Sequence, residues 1–367
     1  MKPRFLAVGI LSLVLARVAC AADDGATAIV SRGFVAGDLP TASCHASTIA
    51  ETKPGECIVA WFGGTAEGQP DVGIWTSRLE HGAWTTPVEV ATGVQPDGAR
   101  WPCWNPVLFQ KPGGELLLFY KVGPSPVAWW GLVRSSTDRG RSWSEPVRLS
   151  RDGTSIEGGP VGPVKNKPVR LGDGVLLSPS STEGDLGWRT HFERSADGGT
   201  TWEVIGPVND GRTIGAIQPS ILDLGGGKLL ALGRTRTSKR IFRIESVDGG
   251  RTWGSMVLTD LPNPNSGTDA VTLADGRHLL IFNPSENQRS PLSVAVSTDG
   301  EAWTPALTLE QEAGEFSYPA IIQAANGMVH ATYTWKRRKI AHVVIDATKL
   351  PPALSSGVPS PLPRARP

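Results

Sequence analysis

The side chains that could do chemistry in this sequence occupy two sets of positions that recur along the chain. The first set is His45, Asn105, Lys165, Lys167, Gln218, Asp269 and Tyr318. The second set is Glu67, Asp71, Lys121, Glu183, Arg189, Arg234, Arg236, Arg289, Arg337 and Arg338. Together they supply cations, carboxylates, a histidine and a tyrosine, a combination that suits an anionic ligand when the side chains meet in one pocket. Whether these side chains meet in one pocket depends on the strands and loops that carry them.

A second kind of repeat indicates what those elements are. A cluster of Ser, Asp, Gly and Trp occurs as "SSTDRGRSW", "SADGGTTW", "SVDGGRTW" and the shortened "STDGEAW", and "SRLEHGAW" is a copy without the aspartate. The clusters end at Trp84, Trp143, Trp202, Trp253 and Trp303. A period of about fifty residues with strand-like content is typical of a β-propeller.

Each repeat has the same order of strands. An apolar strand such as "CWNPVLFQ" comes first and "GGELLLFYKVG" second; "WWGLVRSS", the cluster and a short strand, "SEPVRLS", then follow. Six such units predict an all-β, six-bladed β-propeller with four-stranded antiparallel blades. The last unit lacks an outer strand. We expect residues 28–35 ("AIVSRGFV") to supply it and so remove an open sheet edge.

The strand order also predicts which face of the propeller carries the chemistry. The clusters lie between the third and fourth strands, where Gly permits positive φ, Asp caps backbone N–H groups and Trp packs against the blade. Because neighbouring strands are antiparallel, the starts of the first strands and the loops between second and third strands lie at the opposite face. Both sets of polar residues fall there, so the sequence predicts a site at that mouth of the propeller.

Composition narrows the class of ligand. The chain has 367 residues, of which 40% are hydrophobic and 19% charged, with 43 glycines, 30 prolines and a formal net charge of +1. These values are typical of a globular protein with many turns. No basic stripe is present to follow a phosphate backbone, so we expect no nucleic-acid partner. The polar residues described above still favour an anionic ligand, and we expect a monomer.

The N-terminus has the pattern of an export signal. Lys2 and Arg4 precede the apolar run "FLAVGILSLVLA", and "ACA" offers small residues for cleavage near Ala21. We therefore predict a signal peptide at 1–21, a propeller domain at 22–350, a disordered proline-rich tail at 351–367, and a secreted or periplasmic protein without an integral membrane segment. Lipid attachment at Cys20 is the less favoured alternative.

The mature chain would keep three cysteines, at positions 44, 57 and 103. An odd number leaves at least one thiol free, and a bridge between Cys44 and Cys103 is conceivable because both begin first strands. Their spacing does not suit zinc, and we expect neither a metal nor a cofactor.

The clusters resemble the Asp-boxes of the sialidase (neuraminidase) superfamily. Stretches such as "CHASTIAE", "AWFGGTAEGQPDVGIW", "GWRTHFERSADGGTTW" and "GEFSYPAIIQ" are similar to bacterial and plant proteins usually labelled predicted neuraminidases, over residues 45–345. The resemblance implies a tyrosine nucleophile at Tyr318, an acid/base at Asp71, and carboxylate-binding arginines at Arg289 and at Arg234, with Arg236 competing for the last place. Tyrosine nucleophiles are an exception among glycosidases.

Two positions depart from the family pattern. The first arginine of the family is replaced by His45, and the glutamate that would activate the tyrosine is replaced by Gln218, whose amide cannot take a proton from a phenol. Glu183 and Glu315 are the carboxylates that could substitute.

Three functions follow from these residues. An exo-glycosidase would use Asp71, Tyr318 and the arginines on a terminal acidic sugar. A polysaccharide lyase would use His45 or Tyr318 as base and acid in a β-elimination beside a uronate. A binding propeller would stack sugars on tryptophans, for which the candidates are Trp104, Trp129, Trp130 and Trp188. We rank the glycosidase first, and we expect an anionic oligosaccharide or polysaccharide as the substrate that the resemblance implies.

Overall fold

The computed structural model describes residues 26–149 and 161–353 of the chain. The predicted signal peptide, Cys20 and almost all of the predicted tail lie outside the described residues. Two short 3-10 helices, Ala26–Ala28 and Ala347–Lys349, flank an otherwise all-β chain. No helix among the described residues has the length and apolar character needed to cross a membrane.

The described residues form twenty-five strands, numbered in chain order. The first eleven are β1 (Ile29–Phe34), β2 (Ser43–Lys53), β3 (Glu56–Gly64), β4 (Gly73–Glu80), β5 (Ala83–Trp84), β6 (Val88–Ala91), β7 (Cys103–Gln110), β8 (Leu116–Val122), β9 (Trp130–Ser136), β10 (Val147–Arg148) and β11 (Val169–Arg170). The next seven are β12 (Leu176–Thr182), β13 (Arg189–Ser195), β14 (Glu203–Ile205), β15 (Ala216–Gly225), β16 (Lys228–Thr235), β17 (Arg240–Ser246) and β18 (Val257–Pro262). The last seven are β19 (Asp269–Thr272), β20 (His278–Phe282), β21 (Leu292–Ser297), β22 (Thr304–Glu310), β23 (Phe316–Gln323), β24 (Val329–Trp335) and β25 (Lys339–Ile345).

These strands form six antiparallel sheets, which are the six predicted blades. Blades 1 to 5 are β2–β6, β7–β10, β11–β14, β15–β18 and β19–β22, each in sequence order from the inner strand outward. In blade 1 the outer position is shared by β5 and β6, which both pair with β4. Blade 6 has the order β1-β25-β24-β23.

The predicted closure of the ring by the N-terminal strand is confirmed. β1 pairs antiparallel with β25, and Gly33 lies opposite His342 in that register. Val35, just after β1, is fully buried, and its N–H donates to the Ile340 carbonyl at 2.9 Å. The strand therefore covers the outer edge of blade 6 with residues from the opposite end of the chain.

The Ser-Asp-Gly-Trp clusters are structural, as predicted. In blade 3, Asp197 Oδ1 accepts from the backbone N–H groups of Thr200 and Thr201 at 3.0 and 2.9 Å, and Trp202 Nε1 donates to the Gly199 carbonyl at 3.1 Å. These bonds hold a tight loop at the hairpin between the third and fourth strands.

In the four clusters that contain the aspartate, a glycine also packs over the neighbouring blade. Gly250 has a φ of +76°, and a Cβ at this position would lie 2.6 Å from Leu177 and 3.3 Å from Leu229. Those leucines are near the starts of the second strands of blades 3 and 4. The clusters therefore lie at the face opposite the inner-strand start that carries Tyr318, because Ser317 pairs with Thr334 at the far end of the second strand of blade 6.

The hydrophobic core lies between neighbouring blades. Ile58 of blade 1 and Leu116 of blade 2 belong to one buried cluster, and Leu177 of blade 3 and Leu229 of blade 4 belong to another. This arrangement fixes the angle of each blade and leaves the inner-strand starts around a common axis.

The three cysteines of the propeller are free thiols. Cys44, Cys57 and Cys103 are all buried, and no disulfide joins Cys44 to Cys103. Cys57 lies in the second strand of blade 1, as expected. Burial raises the pKa of the Cys44 and Cys57 thiols to about 12, so both stay protonated.

Candidate active site at the propeller mouth

The inner strands share a distortion where they reach the mouth. Non-glycine residues with positive φ occur there in five blades: Ala46 at 56°, Asn105 at 39°, Lys165 at 77°, Gln218 at 57° and Tyr318 at 50°. In four of these blades the pairing with the second strand also shifts register at this point. Such conformations cost on the order of 1–3 kcal/mol each and gather at functional sites, where bulges re-aim side chains.

This distortion corrects the predicted equivalence of His45 with the other inner-strand positions. In blade 1 the residue with positive φ is Ala46, so His45 lies one place earlier than Asn105, Gln218 and Tyr318. The sequence carries a signal for this offset, because a proline follows each of these last three residues, whereas Ser47 follows Ala46. His45 consequently approaches the centre from a different direction.

Tyr318 lies at the centre of the mouth. It is 8% exposed, and its Oη accepts a hydrogen bond from Arg234 Nη1 at 2.8 Å and a longer one from Gln218 Nε2 at 3.4 Å. The His45 ring packs against the tyrosine ring with centroids 4.2 Å apart. Four predicted site residues from blades 1, 4 and 6 are therefore in direct contact.

His45 is held as a neutral imidazole. It is 1% exposed, and its Nδ1 lies 3.1 Å from Thr334 Oγ1. Burial, reinforced by the positive charges of Arg337, Arg289 and Arg234, keeps the pKa of His45 well below its ordinary value. The ring is therefore uncharged beside Tyr318, with one of its two nitrogens free of a proton.

Arg234 links the tyrosine to a second group of side chains. Its guanidinium lies 4.9 Å from the centre of the Trp188 ring, and Arg236 lies 5.7 Å from the same ring. The same loop carries Glu183, a half-buried carboxyl whose pKa is raised by burial against the opposing effects of Arg234, Arg236 and the Trp188 indole. Arg236 is thus beside Arg234, but the tyrosine contact belongs to Arg234.

Arg289 contributes to a cluster that the sequence pattern predicted only in part. Its Nη1 lies 2.7 Å from Glu315 Oε1, and Arg337 Nε donates to the same carboxylate at 3.0 and 3.1 Å. Arg337 also pairs with Glu67 across the junction of blades 6 and 1. The Arg337 carbonyl accepts from Cys44 N–H at 2.9 Å. This places a third arginine next to His45.

Lys165 is engaged with protein atoms. It is 3% exposed, and its Nζ donates to Asn166 Oδ1 at 2.8 Å, to the Thr268 carbonyl at 2.6 Å and to the Pro319 carbonyl. Burial lowers the pKa of this amine to about 7. Because Pro319 follows Tyr318, the lysine supports the peptide that sets the position of the tyrosine.

Asp269 and Lys167 are also bound to protein atoms. Asp269 is 1% exposed and lies 2.9 Å from Lys167 Nζ. It also accepts from Ser220 Oγ at 3.0 Å and from Ile321 N–H at 2.9 Å. Asp269, Lys167 and Lys165 therefore hold the inner strands of blades 3 to 6 together beneath the mouth. Their contact with a ligand stays a prediction.

Asp71 lies in a recess of its own. Its Oδ2 accepts from the Thr65 N–H at 2.8 Å and from the Thr65 hydroxyl, and it borders a cavity of about 350 Å³ with Trp75, Glu89 and Arg100. The Thr65 hydroxyl is the main reason that the pKa of Asp71 is lowered. In the part of the chain that the structure describes, no hydrogen bond joins Asp71 to Tyr318.

Two further predicted residues, Asn105 and Arg189, lie on the same face in blades 2 and 3. Asn105 is 5% exposed in blade 2, and Arg189, which begins β13, has a buried Nε without a hydrogen-bond partner among the described residues. Of the four candidate stacking tryptophans, Trp104 and Trp129 belong to a buried cluster, whereas Trp188 contacts site residues. No three His, Cys, Asp or Glu side chains in residues 26–149 and 161–353 are placed to hold a metal ion.

The fold, the Asp-boxes and the arginine-lined mouth define a sialidase-like propeller. The chain belongs to the BNR repeat-like domain family, whose model matches residues 55–331. No curated protein sequence matches it significantly.

Solved structures with the same fold include three that cover most of this chain. A Dyadobacter fermentans protein of unknown function is 18% identical, with a TM-score of 0.71 over 86% of this chain and 98% of its own. The NanB sialidase of Streptococcus pneumoniae is 12% identical, with a TM-score of 0.69 over 86% and 70%. The intramolecular trans-sialidase of Ruminococcus gnavus is 14% identical, with a TM-score of 0.68 over 88% and 99%. At these identities the likeness establishes the fold alone.

Proposed function

We propose that the protein cleaves an acidic glycan at the propeller mouth, with Tyr318 as the reacting group. The observation that carries the proposal is the 2.8 Å hydrogen bond from Arg234 to the hydroxyl of a buried tyrosine held at positive φ. A strained backbone that holds a buried hydroxyl against a cation costs free energy, which a merely structural tyrosine would not need.

The substrate's carboxylate would bind to arginines. Arg234, Arg289 and Arg337 all lie close enough to His45 for their positive charges to lower its pKa. Arginine is suited to carboxylates because its planar guanidinium can donate two parallel hydrogen bonds. Glu315 holds two of these arginines in place.

The first candidate reaction is hydrolysis of a terminal acidic sugar, a proposal that the sialidases among the similar structures support. Tyr318 Oη would form a bond to the anomeric carbon, and its proton would pass to water. The bond from that carbon to the glycosidic oxygen would break, leaving the electron pair on the oxygen, which takes a proton from a carboxylic acid; Asp71 is the candidate for this acid. Water would then release the sugar from the tyrosine.

The second candidate is β-elimination beside a uronate, which one observation favours. The residue that contacts the Tyr318 hydroxyl at 3.4 Å is Gln218, an amide and not a carboxylate, and neutral His45 lies against Tyr318. His45 would take the proton from the carbon next to the carboxylate, the bond to the leaving oxygen would break, and Tyr318 would protonate that oxygen. The arginines would stabilise the carbanion through the carboxylate.

One incubation distinguishes these reactions. The purified propeller is given sialosides and uronate-containing oligosaccharides, and released reducing sugar and the ultraviolet absorbance of an unsaturated product are followed together. Sugar release without absorbance supports hydrolysis, and absorbance supports elimination. Binding without either signal would show that the protein is a carbohydrate-binding propeller and not an enzyme.

We also propose that the protein meets its substrate outside the cytoplasm, as a secreted or periplasmic monomer.

A further inference from the structure

Four consecutive basic residues, 336–339, lie where the second strand of blade 6 turns into the third. Ser317 of the inner strand pairs with Thr334 next to this turn, so the turn lies at the same face as Tyr318. Of the four cations, the proposed reactions use only Arg337. The other three have no part in either reaction.

A cavity of about 430 Å³ lies at this turn, and we name it the blade-6 crevice. It is lined by Gly314, Glu315, Trp335, Lys336, Arg337 and Arg338. Its volume falls in the range of small-ligand sites. Glu315 and Arg337 also belong to the arginine cluster beside His45, where Glu315 lies 2.7 Å from Arg289. The crevice and the mouth therefore adjoin each other.

The turn that presents these cations has a conformation that its residue types do not favour. The Arg338 N–H donates to the Trp335 carbonyl at 3.0 Å, and the two central residues, Lys336 and Arg337, have φ values of 50° and 58°. Tight hairpin turns with positive φ at both central positions strongly favour Asn and Gly, and other side chains there carry strain. Two cations at these positions therefore indicate a role beyond closing the hairpin.

The acidic residues around the turn neutralise only part of its charge. Lys336 Nζ lies 3.0 Å from Glu312 Oε2, and Arg337 Nε donates to both oxygens of Glu315. Arg338 is exposed, and within the described part of the chain no carboxylate forms an ion pair with it. The blade-6 crevice therefore has a guanidinium in its lining that is available to an anion from solution.

The blade-6 crevice also has an apolar surface. Lys336 Nζ lies 4.6 Å from the centre of the Trp335 ring, which meets the Phe34 ring edge-on with centroids 5.5 Å apart. Gly314 makes room for this packing, because a Cβ at that position would lie 2.9 Å from Lys336 Cε. An indole and a lysine stem beside an arginine suit an acidic sugar, whose C–H groups pack on apolar surface while its carboxylate binds the guanidinium.

We propose that the blade-6 crevice binds a second acidic sugar of the substrate, and that Arg338 binds the carboxylate of that sugar. The inference rests on the proposed function and narrows its substrate to glycans that carry acidic groups on successive sugars. No bond forms or breaks in the crevice. The second sugar supplies binding energy that helps to hold the first one at Tyr318.

The test compares Arg338→Gln with the control Arg251→Gln. Arg251 is exposed in the Asp-box of blade 4, at the opposite face, and its replacement removes the same charge. Each protein is given sialyllactose and disialyllactose, and uronate oligosaccharides that contain either one uronate or several in succession. We expect Arg338→Gln to lower kcat/KM by ~10-fold or more on substrates with successive acidic sugars, the effect of losing one hydrogen bond between charged groups. Its kcat/KM on single-acid substrates should stay within ~2-fold of wild type, and Arg251→Gln should match wild type on all of them.

The conservative variant Arg338→Lys distinguishes recognition of the acid from a structural effect. It keeps the charge and should recover part of the rate on successive acidic sugars. Equal losses in Arg338→Gln on both kinds of substrate, or no loss on successive acidic sugars, would overturn the inference while the proposed function stands.

Isothermal titration calorimetry separates the inference from the proposed function. The wild-type protein should bind disialyllactose more tightly than sialyllactose, or a uronate tetrasaccharide more tightly than its single-uronate counterpart, and Arg338→Gln should lose that preference. If no probe is cleaved, the proposed function fails, but a preference for successive acids that depends on Arg338 still supports the crevice as their binding site. Equal affinities for the two kinds of probe, or no binding of either, would overturn the inference.

Discussion

Replacing Asp269 by Asn tests whether the mouth depends on a buried carboxylate that joins four blades. Asp269 Oδ1 accepts from Ser220 Oγ and from the Ala270 N–H at 2.9 Å, and Oδ2 accepts from the Ile321 N–H at 2.9 Å. Lys167 donates to both oxygens. An asparagine has the same shape but only one oxygen. In either orientation its NH₂ group must face a buried backbone N–H, of Ala270 or of Ile321.

The expected loss of stability follows from these contacts. A buried donor left without an acceptor costs ~1–3 kcal/mol, and a lost hydrogen bond to a charged group costs ~1.5–3 kcal/mol. Together they predict a loss of ~3–5 kcal/mol, in the range found when one partner of a buried pair is removed. For a domain of this size that corresponds to a fall in Tm of ~5–10 °C.

Thermal unfolding followed by near-ultraviolet circular dichroism measures this loss. Asp260→Asn, at an exposed position of β18, is the matched control and should leave Tm unchanged. The double variant Asp269→Asn with Lys167→Met should recover part of the loss, because it removes the unpaired cation. A Tm for Asp269→Asn within ~1–2 °C of wild type would refute the structural role of Asp269, because a loss of ~3 kcal/mol would lower Tm by more than that.

Three further predictions concern the rest of the propeller. Truncation to begin at Gly37 removes the strand that closes blade 6, and we expect a lower Tm and aggregation on heating; light scattering equal to that of the full domain would contradict the closure. Burial lowers the pKa of His342 to about 3 and also lowers that of its hydrogen-bonded neighbour His330, whose Nδ1 is 3.0 Å away. As the pH falls, these histidines take up protons in the unfolded chain before they do so in the folded protein, so stability should fall as pH drops from about 6.5 toward 3. His342→Phe should make stability depend less on pH, and an unchanged slope would contradict this role of His342. The buried cysteines should resist iodoacetamide in the native protein and react after denaturation, as intact-mass spectrometry would report, whereas a bridged pair would stay unmodified without reductant.

The fold could be predicted because its signals are local and repeated. Each Ser-Asp-Gly-Trp cluster fixes one hairpin, and the alternation of apolar strands between clusters fixes the blade. The same logic placed Tyr318, Gln218 and Arg234 at one face. The strand order could not predict which side chains touch each other. The Arg337 contacts with Glu315 and Glu67 depend on a turn at the far end of β24, where Lys336 and Arg337 have φ values of 50° and 58°.

In the sequence, only the prolines that follow Asn105, Gln218 and Tyr318 mark the offset of His45, and no such signal marks the contacts of Asp269 and Lys165. A one-residue difference in where a bulge falls changes which side chain points to the axis, and the apolar pattern of a buried inner strand does not record it. Lys165 and Asp269 bond to carbonyls and N–H groups of blades that are distant in sequence. A sequence shows that such groups are polar but not whether protein or ligand satisfies them.

Both candidate reactions depend on Tyr318 as the reacting group at this mouth. The most direct measurement is kcat/KM of Tyr318→Phe on whichever acidic glycan the wild-type protein cleaves, with His45→Ala measured in parallel. Loss of the hydroxyl should lower kcat/KM by ~10²–10⁴-fold under both reactions, while loss of His45 should collapse kcat in an elimination and mainly raise KM in a hydrolysis. Turnover by Tyr318→Phe close to that of the wild type, with the fold intact, would contradict this role for the tyrosine.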